Sequence, residues 1–186
     1  MAVDGVKWIL DDMVLEDMAR KVSPHDLSTW SNNELVVADA TARAATQDDS
    51  GRRQSMLEAR SEISGTEVIS SFTVTVGSPA GRILYNHLRT STSRPTTANL
   101  AEHESIAWAM ADPAGEDSIF VTRDKLAAML ALAELGRGRV CHPYEFFEYL
   151  FNRGYLTEQQ FGDLVDLTRK ADQSIPTPWR HHNNRS

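Results

Sequence analysis

The sequence predicts an α/β fold, a three-layer α/β/α sandwich around a central, mostly parallel sheet. Three observations point there. Short apolar runs recur and each is followed by an aspartate: Trp8-Ile9-Leu10-Asp11, Leu35-Val36-Val37-Ala38-Asp39 and Ile119-Phe120-Val121-Thr122-Arg123-Asp124. Runs of this length fit strands buried on both faces, as parallel strands are. Helix-like segments separate the runs, and strands alternating with helices imply crossovers that cover both faces of one sheet.

The elements are taken in chain order. Val6 to Asp11 is the first expected strand. Val14 to Ala19 begins a helix, with Pro24 marking its end or a turn. Leu35 to Ala38 is the second strand, followed by the Ala-rich Thr41 to Thr46. Residues 47–62 are polar, and a loop leading into an exposed helix is expected there. Val68 to Val76 is β-branched, partly alternating and bounded by Gly65 and Gly77, so it reads as a strand. Gly81 to Leu88 reads as a short helix and residues 89–98 as a loop.

Leu100 to Ala111 is an apolar, Ala-rich helix stopped by Asp112-Pro113-Ala114-Gly115. Ile119 to Thr122 is a strand, and Lys125 to Leu135 a nearly all-apolar helix closed by Gly136. Arg139 to His142 is a short strand, and Tyr144 to Asn152 an aromatic-rich helix ending at Gly154. Phe161, Leu164, Val165 and Thr168 recur at helical spacing, so 157–171 is a helix, and Thr157 with Gln160 fits a capping box at its start. One domain is expected over residues 1–172. The tail 173–186, with Pro176, Pro178 and His181-His182-Asn183-Asn184, is expected to be disordered.

Composition bounds the function. The 186 residues suffice for a proper core. No apolar stretch approaches a membrane span, and the start lacks the basic and long apolar regions of a signal peptide. The single cysteine, Cys141, excludes an internal disulfide framework and a Cys-rich zinc cluster. These features lead to the expectation of a cytoplasmic protein without a membrane partner. A net charge of −7 argues against a simple nucleic-acid coat. It leaves room for an enzyme that reaches phosphates through bound metal ions, or for a basic partner.

The candidate site is acidic. In open α/β sheets, ligands bind beyond the carboxyl ends of the strands. Asp11, Asp39 and Asp124 are expected at such ends, and gathered negative charge there calls for a cation. Each also has a simpler reading: Asp11 or Asp12 as a helix cap, Asp124 as the cap of the next helix, Asp39 as a cap or turn residue. Glu104 is the least comfortable acid, because Leu100, Ala107, Trp108 and Ala111 share its helical face. Its alternative is pairing with an Arg or Lys. Glu102 and His103 are expected to reach solvent more easily. Thr122 adds a hydroxyl near Asp124. His25, His87 and His103 show no ligand-like spacing and read as ordinary. Carboxylates with a hydroxyl would hold a hard cation, Mg²⁺ or Mn²⁺, which can activate water against a phosphodiester. No Gly-x-Ser-x-Gly elbow and no Walker-type loop is present.

Taken in order, these residues resemble the PIN domain, a small α/β nuclease fold. The first strand with the residues after it, Trp8-Ile9-Leu10-Asp11-Asp12-Met13-Val14-Leu15, carries the first likeness. Glu102-His103-Glu104-Ser105-Ile106-Ala107-Trp108-Ala109 resembles the Glu-x-Glu-Ala-Ile-x-x-Ala form of one branch, and Val121-Thr122-Arg123-Asp124 its fourth acid. Gly138-Arg139-Val140 and the helix ending Asn152-Arg153-Gly154-Tyr155-Leu156-Thr157 extend the likeness. It covers residues 100–170 well, 6–40 fairly and 45–98 weakly. The resemblance implies a Mg²⁺- or Mn²⁺-dependent ribonuclease with Asp11, Glu104 and Asp124 as catalytic metal ligands. Asp12, Asp39, Glu102 and Thr122 are accessory candidates. It further implies an RNA substrate and the setting of a toxin with an antitoxin partner. A homo-oligomer is also expected, since small domains of this kind often form symmetric dimers. The family's second acid has no counterpart in Thr41-Ala42-Arg43-Ala44, and Asp12 replaces the usual Thr or Ser. The alternative is therefore a PIN-like protein that has lost catalysis and serves as a binding or assembly module.

Overall fold

Two apolar cores, one on each face of a single sheet, organise the molecule. The structure is a computed structural model and describes residues 6–23, 26, 34–46, 69–90 and 99–172. The elements are β1 (Trp8–Leu10), α1 (Asp12–Lys21), β2 (Leu35–Ala38), α2 (Asp39–Thr46), β3 (Ser70–Phe72), α3 (Pro79–Thr90), α4 (Leu100–Ala111), β4 (Ile119–Val121), α5 (Lys125–Leu135), β5 (Val140–Cys141), α6 (Pro143–Asn152) and α7 (Glu158–Asp172). The five strands form one sheet in the order β3-β2-β1-β4-β5, and every pairing is parallel. Helices on both faces complete a three-layer α/β/α sandwich.

Side-chain alternation along the strands divides the cores. Trp8, Leu10, Leu35, Val37, Val121 and Cys141 face one side. There they meet Val14, Leu15 and Met18 of α1, Phe146, Phe147 and Leu150 of α6, and Leu164 of α7. Ile9, Val36, Phe120 and Val140 face the other side, against Ala80 of α3, Ile106, Trp108 and Ala109 of α4, and Ala127 and Ala131 of α5. The buried face of α5 is made of small residues, Ala127, Ala128 and Ala131. At the same time Leu126 and Met129 are left exposed.

Local signals account for several boundaries. Ser78 Oγ accepts the Gly81 amide at 2.9 Å and starts α3, which extends beyond the expected Gly81 to Leu88 at both ends. Thr157 Oγ1 accepts the Gln160 amide at 3.2 Å, and Gln160 Oε1 accepts the Thr157 amide at 2.9 Å. This is the reciprocal box read from the sequence. Gly136 ends α5 at φ +80°, a left-handed backbone that suits glycine. Gly115 is required for space: a Cβ there would lie 2.6 Å from the Trp108 carbonyl oxygen.

One element differs from expectation. The strand read over Val68 to Val76 is confined, among the described residues, to Ser70–Phe72. The Val74 amide bonds to the Glu104 side chain at 3.2 Å instead of to a neighbouring strand. The Thr75 carbonyl is taken by the Ser78 turn, and Val76 is fully exposed. Asp11, expected within the first strand, comes after β1 and stands at the N-cap position of α1. The expected loop and helix at 47–62, Val68, the loop after Thr90 and the tail from Gln173 lie outside the described residues.

Among the described residues, no helix is long and apolar enough to cross a membrane.

Candidate functional site

The carboxyl ends of the neighbouring strands β1 and β4 bring together residues far apart in the chain. The pairing Leu10↔Val121 makes Asp11 level with Thr122, and the Asp11 amide donates to the Val121 carbonyl at 3.1 Å. The Thr122 hydroxyl donates to Asp11 Oδ2, and its Oγ1 accepts the Asp124 amide at 3.0 Å. Asp124 caps α5 as its simpler reading expects: Oδ1 accepts from Leu126 and Ala127 at 2.7 and 2.8 Å. Both bonds fall on one oxygen of the carboxylate.

Asp11 occupies a cap position without capping, since its side chain accepts no backbone amide from the first turn of α1. That side chain is instead bonded to Thr122 and to the Asp12 carboxyl. Burial, followed by the charge of Asp12 and its hydrogen bond, holds the Asp11 carboxyl well above the usual range. The Thr122 hydroxyl opposes this rise, and Glu102 adds to it.

Glu102, in the first turn of α4, belongs to this group. It is half-buried rather than pointing freely to solvent, as the sequence led us to expect. The reason is the packing of α4 over the sheet edge, where Glu102 feels the charges of Asp12 and Asp124. Its carboxyl is pushed up to about 7, first by burial and then by those two charges, against a bond from its own backbone. Its Oε2 is buried and has no hydrogen-bond partner.

Glu104 is more deeply buried, 4% exposed, and it has partners of another kind. Its Oε2 accepts the Ala40 amide at 3.1 Å and its Oε1 the Val74 amide at 3.2 Å. The discomfort read from its apolar face is met by backbone donors, not by an Arg or Lys. Through these bonds α4 ties down the start of α2 and the segment after β3. Asp39 opens α2 just before Ala40 and is half-buried. The pairing Ile9↔Val36 makes Ala38 level with Asp11, so Asp39 lies one residue further out on the neighbouring strand.

Arg123, between Thr122 and Asp124, was not singled out from the sequence. Its guanidinium pairs with Asp17 of α1, whose side chain is 3% exposed. No local pattern announces this pair, because the two residues are 106 apart in the chain. Burial raises the Asp17 carboxyl, and the Arg123 charge opposes that rise first.

The edge thus gathers Asp11, Asp12, Glu102, Thr122 and Asp124 in one electrostatic group, and Glu104 braces it from behind. Among the described residues, no three His, Cys, Asp or Glu side chains already converge on one point as a ligand set would. The donors are hard oxygens, which suit Mg²⁺ or Mn²⁺. The orphaned, buried Glu102 Oε2 and the raised carboxyls of Asp11 and Glu102 are what such a cation would relieve. The residues present therefore fit the ion by chemistry.

No protein-family model matches the chain, and neither a curated protein nor a solved structure matches it.

Proposed function

We propose that the acidic edge binds Mg²⁺ or Mn²⁺ and hydrolyses RNA phosphodiester bonds. The observation that carries this reading is the gathering of Asp11, Asp12, Glu102 and Asp124 at the carboxyl ends of β1 and β4, where open α/β sheets bind ligands. Asp11, Glu102 and Asp124 are the residues that would hold the ion. Glu104, assigned as a ligand by the PIN resemblance, would act chiefly through the backbone it holds. A bound divalent ion supplies an activated water and neutralises charge developing on the phosphate.

The chain's own residues prepare the edge. Thr122 orients the Asp11 carboxyl and anchors the Asp124 amide with one oxygen. The α5 cap fixes Asp124 and leaves one of its carboxylate oxygens clear of those bonds. The Arg123–Asp17 pair holds the β4 end against α1. RNA as the substrate, an antitoxin partner and a homo-oligomer are carried by the resemblance to PIN domains and belong to this proposal.

A second reading has its own support: a PIN-like fold without catalysis, acting as a binding or assembly module. Residues 41–44 contain no carboxylate, and that of Glu104 is engaged by two amides. Mn²⁺-dependent cleavage of single-stranded RNA by the wild type and by Asp11→Asn separates the two. Cleavage lost in Asp11→Asn supports the nuclease. Equal cleavage by both rejects catalysis at this edge, and no cleavage with no Mn²⁺ binding favours the module.

A further inference from the structure

Two histidines stand apart from the acidic group. His87, in the last turn of α3, and His103, in the first turn of α4, face each other with ring centroids 5.5 Å apart and planes at 55°. The Nδ1 atom of each is buried and has no hydrogen-bond partner. Ring packing accounts for such a separation. It does not account for two orphaned nitrogens on facing rings, since buried polar atoms are ordinarily paired.

A third residue bears on the proton positions. Glu134 Oε1, on α5, lies 3.9 Å from His87 Nε2. A carboxylate on that side favours the Nε2–H tautomer and leaves the lone pair on Nδ1. Metal-binding histidines commonly have a carboxylate beside their second ring nitrogen. Two imidazoles sharing a Zn²⁺ at about 2.0–2.1 Å place their centroids about 4.5 to 6.4 Å apart as the N–Zn–N angle opens from about 90° to 180°. The observed 5.5 Å lies within that range.

We infer that His87 and His103 form a two-imidazole site for a borderline divalent cation of the Zn²⁺ type, with water completing the coordination and Glu134 behind His87. The chemistry differs from that of the acidic edge: imidazole nitrogen suits Zn²⁺, whereas carboxylate oxygen suits Mg²⁺ or Mn²⁺. The inference therefore stands apart from the proposed nuclease activity. Bound there, the ion would staple the end of α3 to the start of α4.

The test titrates Zn²⁺ against the full chain in competition with a chromophoric chelator. The chain carries His181→Ala and His182→Ala, so that the adjacent histidines of the tail do not compete. The expected result is a site whose affinity falls more than about 100-fold in His87→Asn or His103→Asn and about 10-fold in Glu134→Gln. Asp11→Asn leaves it unchanged. Equal affinity in the parent and in both histidine variants, with native circular dichroism, overturns the inference. Should the histidine variants unfold, Glu134→Gln, on a partly exposed side chain, decides: unchanged affinity overturns the site.

Discussion

Thr122 donates its hydroxyl hydrogen to Asp11 Oδ2 between the ends of the neighbouring strands β4 and β1, joining residues 111 apart in sequence. The same hydroxyl oxygen accepts the Asp124 amide, so one side chain registers two acids of the edge. Thr122 is fully buried. Thr122→Val keeps the shape and removes both bonds. We expect a loss of about 1–3 kcal/mol in urea unfolding, because a half-buried amide and a buried carboxyl each lose a partner. The Asp11 carboxyl should also titrate higher still, read by ¹³C NMR of its carboxyl carbon.

Stability without metal should fall as pH rises through the acidic range. The folded-state value of Glu102 is raised, so its contribution is fully present below the ordinary value of 4.5 and is lost as pH climbs to about 7. Discounted for the part of the side chain that water reaches, the loss is on the order of 2 kcal/mol. Asp11 and Asp17 add to it with the same sign. Urea midpoints from pH 4.5 to 7.5 in the presence of chelator should show the decline, and Glu102→Gln should flatten it. An equally steep decline in Glu102→Gln would remove Glu102 as the source.

Glu104→Ala should destabilise the fold by about 2–4 kcal/mol, since the Ala40 and Val74 amides lose their acceptors inside the protein. Glu104→Gln, which keeps one carbonyl acceptor, should cost less. Hydrogen exchange locates the effect: protection should drop first at Ala40 and Val74. Unchanged protection at both amides would refute the bracing role.

Arg123→Ala leaves Asp17 buried and unpaired, for a loss of about 3–5 kcal/mol. Asp17→Asn combined with Arg123→Ala should recover part of it. A double-mutant cycle by chemical denaturation measures the coupling, and simple additivity would show that the pair contributes nothing as a pair.

Much of the fold was legible in the chain. Leu35–Ala38, Leu100–Ala111 and Lys125–Leu135 occur with the bounds read from their apolar periodicity and their end signals. Such signals are local: a run of apolar residues, a cap, a glycine after the last turn. Val68 to Val76 misled for a tertiary reason. Its β-branched residues fit a strand, but the Val74 amide found the Glu104 carboxylate and left the ladder.

The site was legible as a set of acids but not as an arrangement. Glu102 and Glu104 lie two residues apart on one helix, about 200° around its axis, so they serve different neighbours. Which of them meets the strand ends depends on how α4 is rotated against the sheet, and its largely apolar sequence leaves that rotation open. His87 and His103 looked ordinary because no local spacing links them, and only the packing of α3 on α4 brings their rings, each with an orphaned Nδ1, within 5.5 Å of one another.

The sequence by itself determined the order of strands and helices, the parallel sheet and the wealth of acids at strand ends, because each arises from patterns within a few residues. The tertiary structure alone decided the strand order β3-β2-β1-β4-β5. That order sets Asp11 beside Thr122, gives Glu102 its acidic neighbours and gives Glu104 its amides. The physical reason is that burial and charge act through space: a carboxylate's partners are the groups that packing brings to it, at whatever separation along the chain.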